Sequence, residues 1–375
     1  MSTPSSSRRA DIDWIRVAAF GLLILYHVGL VYAPWDWHVH SPYTIEPLRY
    51  AALALNPWRL TLLFFVSGVA LRFMSRNRRP LAVIAQRLAR LIPPFLFGVL
   101  VLVPPQSWLE ALDKGSWTQG FGAWWLAEFS PAGFADGIPL NHLWFVLYIA
   151  VYSVLILGFT VGVCGWSLLE CVCSKAFSGW GLLILPILYL AFVRQKLFAT
   201  YGLSNHLETD WYNHAASFAV FALGFLLALQ DTFWRSFERL RWVFLSFAVV
   251  SLAVLIALEA HPGGMAFNGL VKNTMFAIDQ WSTLGAVVGF AGRHLRQADG
   301  PLLRYLTDAV FPCYLIHQTL LVIAVYVLEP KGLPMGLEVP ILATVTLGGS
   351  LLVYELVKRM GPFRPLWGLK RQVSR

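Results

Sequence analysis

Residues 14–33 read WIRVAAFGLLILYHVGLVYA: twenty positions, apolar or small except for Arg16, Tyr26, His27 and Tyr32. Twenty residues of α-helix rise about 30 Å, the thickness of a bilayer's hydrocarbon core. The stretch reads as a membrane-spanning helix, and its two ionisable residues are the informative exceptions. A charged group inside a bilayer is disfavoured by roughly 3 kcal/mol or more, so it marks a function by default. Arg16 and His27 are eleven residues apart. That spacing gives about 16 Å of rise and a net rotation near 20°, so both side chains lie on one face. One stands at a membrane surface and the other deep inside. Such a face suits a ligand with an anionic head and a long thin arm.

Apolar stretches of this kind recur along the whole chain of 375 residues, of which 57% are hydrophobic and only 13% charged. A soluble domain carries about 25% charged residues. The expected fold is all-α, a polytopic transmembrane helix bundle of about ten spans: 14–34, 56–74, 87–104, 142–163, 179–194, 212–230, 242–259, 272–291, 308–328 and 340–357. The runs lack the alternation of barrel strands. The basic residues support this count. With the N-terminus in the cytoplasm, 21 of the 29 Lys and Arg fall on the cytoplasmic side and seven on the other, Arg16 lying within a span, as the positive-inside rule requires. Both termini are then cytoplasmic, and the net charge of +9 is a topology signal rather than one for nucleic acid. The expected organisation is a tail at 1–13, a transmembrane domain at 14–357 and a basic tail at 358–375. The first span is too long for a cleaved signal core and has no small-residue cleavage site, so it is read as retained.

Four cysteines, Cys164, Cys171, Cys173 and Cys313, read as free thiols; C-x-C without a second pair or nearby His gives no metal site. Ser67 and Gly68 permit close helix packing. Trp35, Trp37, Trp108, Trp117, Trp124 and Trp125 lie in the outer connections, where aromatic rings either anchor at the headgroup layer or form a wall for an acceptor. Arg87 and Arg90 are three apart where the third span enters the membrane, at the depth of Arg16. They either snorkel to headgroups or, with Arg16, form a fork for phosphate. His27 serves as general base or nucleophile, or bonds across a helix interface. Asp279, in the eighth span at a similar depth, either orients it as a triad's third member does or is satisfied by another polar group. His142, Tyr314 and His317 line a polar path or satisfy interhelical bonds. No P-loop, H-E-x-x-H or G-x-S-x-G motif occurs.

Together these stretches resemble the membrane-bound acyltransferase family 3. DIDWIRVAAFGLLILYH is similar to its first helix, with Arg-x10-His on Arg16 and His27; QRLARLIP to its Arg-x-x-R helix, on Arg87 and Arg90; FFVSG to its second helix. NHLWFV and FPCYLIHQ resemble its later motifs, on His142, Trp144, Tyr314 and His317. The likeness runs over about residues 10–357 and extends to a glucan-modifying branch, whose members are implied to O-succinylate periplasmic glucans. It implies transfer of an acyl group, acetyl or succinyl, from cytoplasmic acyl-CoA to a hydroxyl of an extracytoplasmic glycan, in a bacterial-type inner membrane. It implies a catalytic His27, a donor held by Arg16, Arg87 and Arg90, no permanently bound cofactor, and substrate contacts at His142, Trp144, Tyr314 and His317. The chain is expected to be a short form without the esterase-like domain some members carry. The alternative expectation is a proton-coupled transporter of a small anionic or sugar-like molecule, which also needs intramembrane His, Asp and Arg.

Overall fold

The computed structural model describes residues 9–135, 137–162, 166–261 and 268–371. Ten long helices carry the fold: α1 Ala10–Leu30, α2 Arg59–Ser75, α3 Pro80–Phe97, α4 Trp144–Gly162, α5 Trp180–Tyr201, α6 Trp211–Leu227, α7 Asp231–Ala260, α8 Asn268–His294, α9 Pro301–Leu328 and α10 Met335–Val357. Each of the ten expected spans falls on one of them. Among the described residues, eight helical stretches are long and apolar enough to cross a membrane. The other two miss for different reasons. Helix α6 is apolar but has only 17 residues. Helix α8 is 27 residues long, but Asp279, Gln280, Ser282 and Thr283 break its apolar character. This is a multi-pass membrane protein. Cys164 lies outside the described residues; Cys171, Cys173 and Cys313 are free thiols.

The chain divides into two compact units. The first comprises residues 1–19, 50–85 and 151–307. Its packing centres on clustered aromatic side chains: Phe65 meets Phe233, Phe237 and Trp281 edge-on or tilted, the edge-on geometry being one that aromatic quadrupoles favour. Helices α2 and α6 cross here at backbone distance. A Cβ on Gly68 would stand 2.0 Å from the Phe221 carbonyl oxygen, and one on Gly224 would stand 2.6 Å from that of Phe65, so only glycine fits the crossing. The polar side of α8 is satisfied within this unit. Gln280 donates to Thr61 Oγ1 at 2.8 Å, and the Trp281 indole donates to the Leu182 carbonyl at 2.7 Å.

The second unit comprises residues 20–49, 86–150 and 308–375. One core cluster of this unit is mostly aliphatic: Val28, Val31, Val39, Leu109, Leu321, Val322, Val325 and Leu342, with Tyr32 among them. Helix α3 continues through Pro93 and Pro94, where two missing N–H groups free carbonyls one turn earlier. It then relaxes into a π-helical turn at Gly98–Leu102, closed by the Val103 N–H on the Gly98 carbonyl at 2.8 Å. Turns of this kind are frequent at functional sites, and this one presents the Leu102 carbonyl sideways. The expected outer connection 105–141 is itself partly helical, at Pro104–Asp113, Phe121–Glu128 and Pro131–Ala135.

Candidate active site: a histidine cluster

Three consecutive polar residues, His317, Gln318 and Thr319, interrupt the apolar run of α9. Successive positions on a helix are about 100° apart, so the three side chains leave in three directions. Each reaches a different polar partner in the second unit.

His317 is fully buried and reaches His27. Its Nδ1 lies 2.7 Å from the Tyr314 carbonyl oxygen, and its Nε2 lies 3.1 Å from His27 Nδ1. A carbonyl only accepts, so Nδ1 of a neutral His317 carries the proton and Nε2 is the acceptor. The proton of the second bond then belongs to His27 Nδ1, which leaves the lone pair of His27 on Nε2. The ring centroids are 5.0 Å apart. His27 is half-buried, at the start of the last turn of α1.

His142 adjoins the same pair, its ring centroid 5.0 Å from that of His317. It sits in a single 3-10 turn, Asn141–Leu143, ahead of α4. Its Nε2–H donates to the Leu315 carbonyl at 3.2 Å. The Tyr314 hydroxyl donates to the His142 carbonyl, so the ring and the backbone of this residue are both tied to α9. Phe20 closes edge-on over Tyr314 at 5.3 Å. Among the described residues no group of three or more His, Cys, Asp or Glu is arranged to hold a metal ion.

Thr319 reaches the π turn. Its hydroxyl donates to the Leu102 carbonyl at 2.7 Å and accepts from Gln106 Nε2 at 2.8 Å. Gln106, also fully buried, accepts in turn from Asn141 Nδ2 at 2.9 Å. Asn141 takes a positive φ of 42°, a conformation that asparagine tolerates better than most residues. The chain of bonds therefore fixes the residue before His142 and the residue two after His317 to one point.

Gln318 reaches the outer connections. Its amide donates to His38 Nε2 at 2.7 Å, and His38 Nδ1–H donates to the Glu110 carboxylate. Lys114 bonds Glu110 at 2.8 Å and Asp36 at 3.0 Å. Burial alone would lower the Lys114 ammonium, but these two carboxylates outweigh it and hold its pKa above the ordinary lysine value.

The structure thus brings together four of the expected site residues, His27, His142, Tyr314 and His317. Trp144 is buried two residues past His142, its ring 4.9 Å from that of Tyr148. Arg87 and Arg90 share α3 within the second unit, Arg90 exposed and lining a cavity of about 650 Å³ with Asp308, Tyr354, Lys358, Arg359, Arg364 and Lys370. Arg16 belongs to the first unit, 3.4 Å from Asp13 one turn earlier. Asp279 is also in the first unit, 1% exposed, and accepts from Thr283 Oγ1 at 3.3 Å. The imidazole bonded to His27 is His317, a pairing that spacing along α1 does not contain. His38 lies in the outer connection that the sequence offers as an acceptor wall, whereas Gln106, Asn141, Glu110, Gln318 and Thr319 have no role that sequence reasoning assigns. The signal for the last two was there, in the polar triplet inside an apolar helix.

The family model described as an acyltransferase domain, Acyl_transf_3, matches residues 9–355. Among curated proteins the chain is similar to the glucans biosynthesis protein C of Escherichia coli O17:K52:H18, 22% identical over 396 residues, covering all of this chain and 98% of that protein. The protein of the same name from Shigella dysenteriae serotype 1 matches at the same identity and coverage. No solved structure matches the chain.

Proposed function

From the premise that the chain belongs to the acyltransferase family 3, and so is a membrane acyltransferase, we propose that it moves an acyl group from acyl-CoA to a glycan hydroxyl, with His27 as the base. The transporter alternative gives way to this family membership. The observation that carries the mechanism is the bond of His27 Nδ1 to His317 Nε2, itself anchored through His317 Nδ1 on the Tyr314 carbonyl.

With the lone pair held on His27 Nε2, this nitrogen takes the proton of the acceptor hydroxyl. The oxygen attacks the thioester carbon, and the tetrahedral adduct expels the coenzyme A thiolate, which takes the proton from the imidazolium. An alcohol and a thioester become an ester and a thiol, with no proton gained or lost. Attack by His27 itself, giving an acyl-imidazole that the hydroxyl then cleaves, uses the same lone pair. His317 Nε2 faces the positive charge that develops on the His27 ring, as an orienting partner does in a catalytic triad.

Arg87 and Arg90 hold the donor's phosphates, and Arg16 is assigned to the donor as well. The outer network of His38, Glu110, Lys114 and Asp36 offers charged hydrogen-bond partners for a sugar. The relatives' printed name supports a glucan as acceptor and their bacterial origin an inner membrane, while the distribution of basic residues supports placing residues 1–13 and 358–375 on its cytoplasmic side. The test is transfer from labelled acetyl-CoA or succinyl-CoA to glucan by the purified protein. Loss of general-base catalysis in His27→Ala should cost about 100-fold to 10,000-fold in kcat, and a wild-type rate in that variant would remove the mechanism.

A further inference from the structure

The cavity beside Arg90 has a second wall that the family's motif does not supply. Besides Arg90 it is lined by Lys358, Arg359, Arg364 and Lys370 from the last stretch of the chain, with Asp308 the only acidic lining residue among the described residues; the Lys358 ammonium is also paired with Glu355 at 3.0 Å, one turn back on α10. Residues that merely mark the cytoplasmic face of a membrane need charge and no particular conformation. This stretch is folded. Gly361–Trp367 forms a 3-10 helix. The Trp367 ring packs on Phe97 of α3, centroids 5.4 Å apart. Gly368 follows at a φ of +71°, so close to Phe311 of α9 that a Cβ would lie 2.2 Å from its ring. The Arg364 guanidinium fastens both ends of the stretch, donating to the Lys358 carbonyl at 2.7 Å and to the Lys370 carbonyl at 2.9 Å. Five cationic side chains are thereby held around one space of about 650 Å³.

We propose that this folded tail and Arg90 together bind the phosphate-bearing nucleotide end of the acyl donor, with Lys358 and Lys370 as phosphate ligands. The inference rests on the acyl-CoA reading above and adds residues to it. The volume falls within the range of small-molecule sites, about 300–1,000 Å³, which exceeds what a single phosphate needs. Guanidinium groups pair with phosphate oxygens bidentately and stack on planar rings, and ammonium groups serve as point charges. A lipid headgroup offers the same phosphate chemistry, and the experiment separates the two sources.

The full chain in phosphatidylcholine nanodiscs is titrated with coenzyme A and with adenosine 3′,5′-bisphosphate by calorimetry. In Lys358→Gln/Lys370→Gln the Kd of both ligands should rise roughly tenfold or more, the loss expected for charge-assisted bonds. Lys370→Arg with Lys358 intact should keep most of the affinity. Lys175→Gln, which removes an exposed charge from the first unit, should leave both constants unchanged. Equal affinities in wild type and the double variant would overturn the tail's role while leaving acyl transfer standing. No affinity of the wild type for either ligand would overturn the cavity and the nucleotide donor together. In a second arm both proteins are reconstituted in nanodiscs of phosphatidylcholine and phosphatidylglycerol: retained nucleotide affinity with lost enrichment of phosphatidylglycerol around the double variant would give the cavity to a headgroup and overturn the proposal.

Discussion

His317 holds its Nδ1 proton on the carbonyl of Tyr314, three residues back along its own helix. This short-range bond sets a long-range consequence, because it makes His317 Nε2 an acceptor and leaves the His27 lone pair on Nε2. The His317→Ala variant should lower kcat about 100-fold or more with little change in the KM for the donor, since His317 touches the base and not the phosphates. Steady-state kinetics with the two parameters separated checks this. The neighbouring Gln106 supports the arrangement rather than the reaction. Replacing it by leucine takes a partner from the half-buried Asn141 amide and from the buried Thr319 hydroxyl, at a cost of about 1–3 kcal/mol, to be read as earlier thermal unfolding in detergent. His27 and Arg16 were legible in the sequence because each is an exception within an apolar run. Their surroundings were not, because helix spacing says which residues share a face and nothing of which helix lies opposite.

Helices were the most legible part of the chain. Every expected span coincides with a helix, since a bilayer demands about twenty apolar residues and leaves the backbone no other open choice. The irregular elements were harder. The π turn at Gly98–Leu102 follows a Pro-Pro pair that reads equally as an interruption, and its sideways Leu102 carbonyl is visible only once Thr319 and Gln106 are seen to use it. The docked 3-10 helix Gly361–Trp367 was hidden for the opposite reason: a run of basic residues already had a sufficient explanation in topology. Between regular elements, glycine marks the tightest contact. Gly68→Ala places a methyl 2.0 Å from the Phe221 carbonyl. The α2–α6 crossing must then open, and overpacking of this kind destabilises by about 1–3 kcal/mol. Thermal unfolding of the purified variant measures the loss.

For the molecule as a whole, the proposed acyl-CoA donor should stabilise the fold, because a ligand that binds only the folded chain shifts the unfolding equilibrium by mass action. At a concentration 100 times its Kd the donor should add about 2.7 kcal/mol, seen as a raised Tm with acetyl-CoA or succinyl-CoA in detergent. The ester giving the larger shift identifies the preferred acyl group. The family match over residues 9–355 sets the reaction class, and in the proposed mechanism the cluster of His27, His317 and His142 supplies the base. Groups that act as one catalytic unit give strongly non-additive losses when removed. A double-mutant cycle on kcat, with His27→Ala, His317→Ala and both together, therefore probes the pair itself. The double variant should be no slower than His27→Ala alone, since His317 acts only through His27. Losses that multiply, or a His27→Ala enzyme that turns over at the wild-type rate, would show that the two imidazoles do not work as a pair.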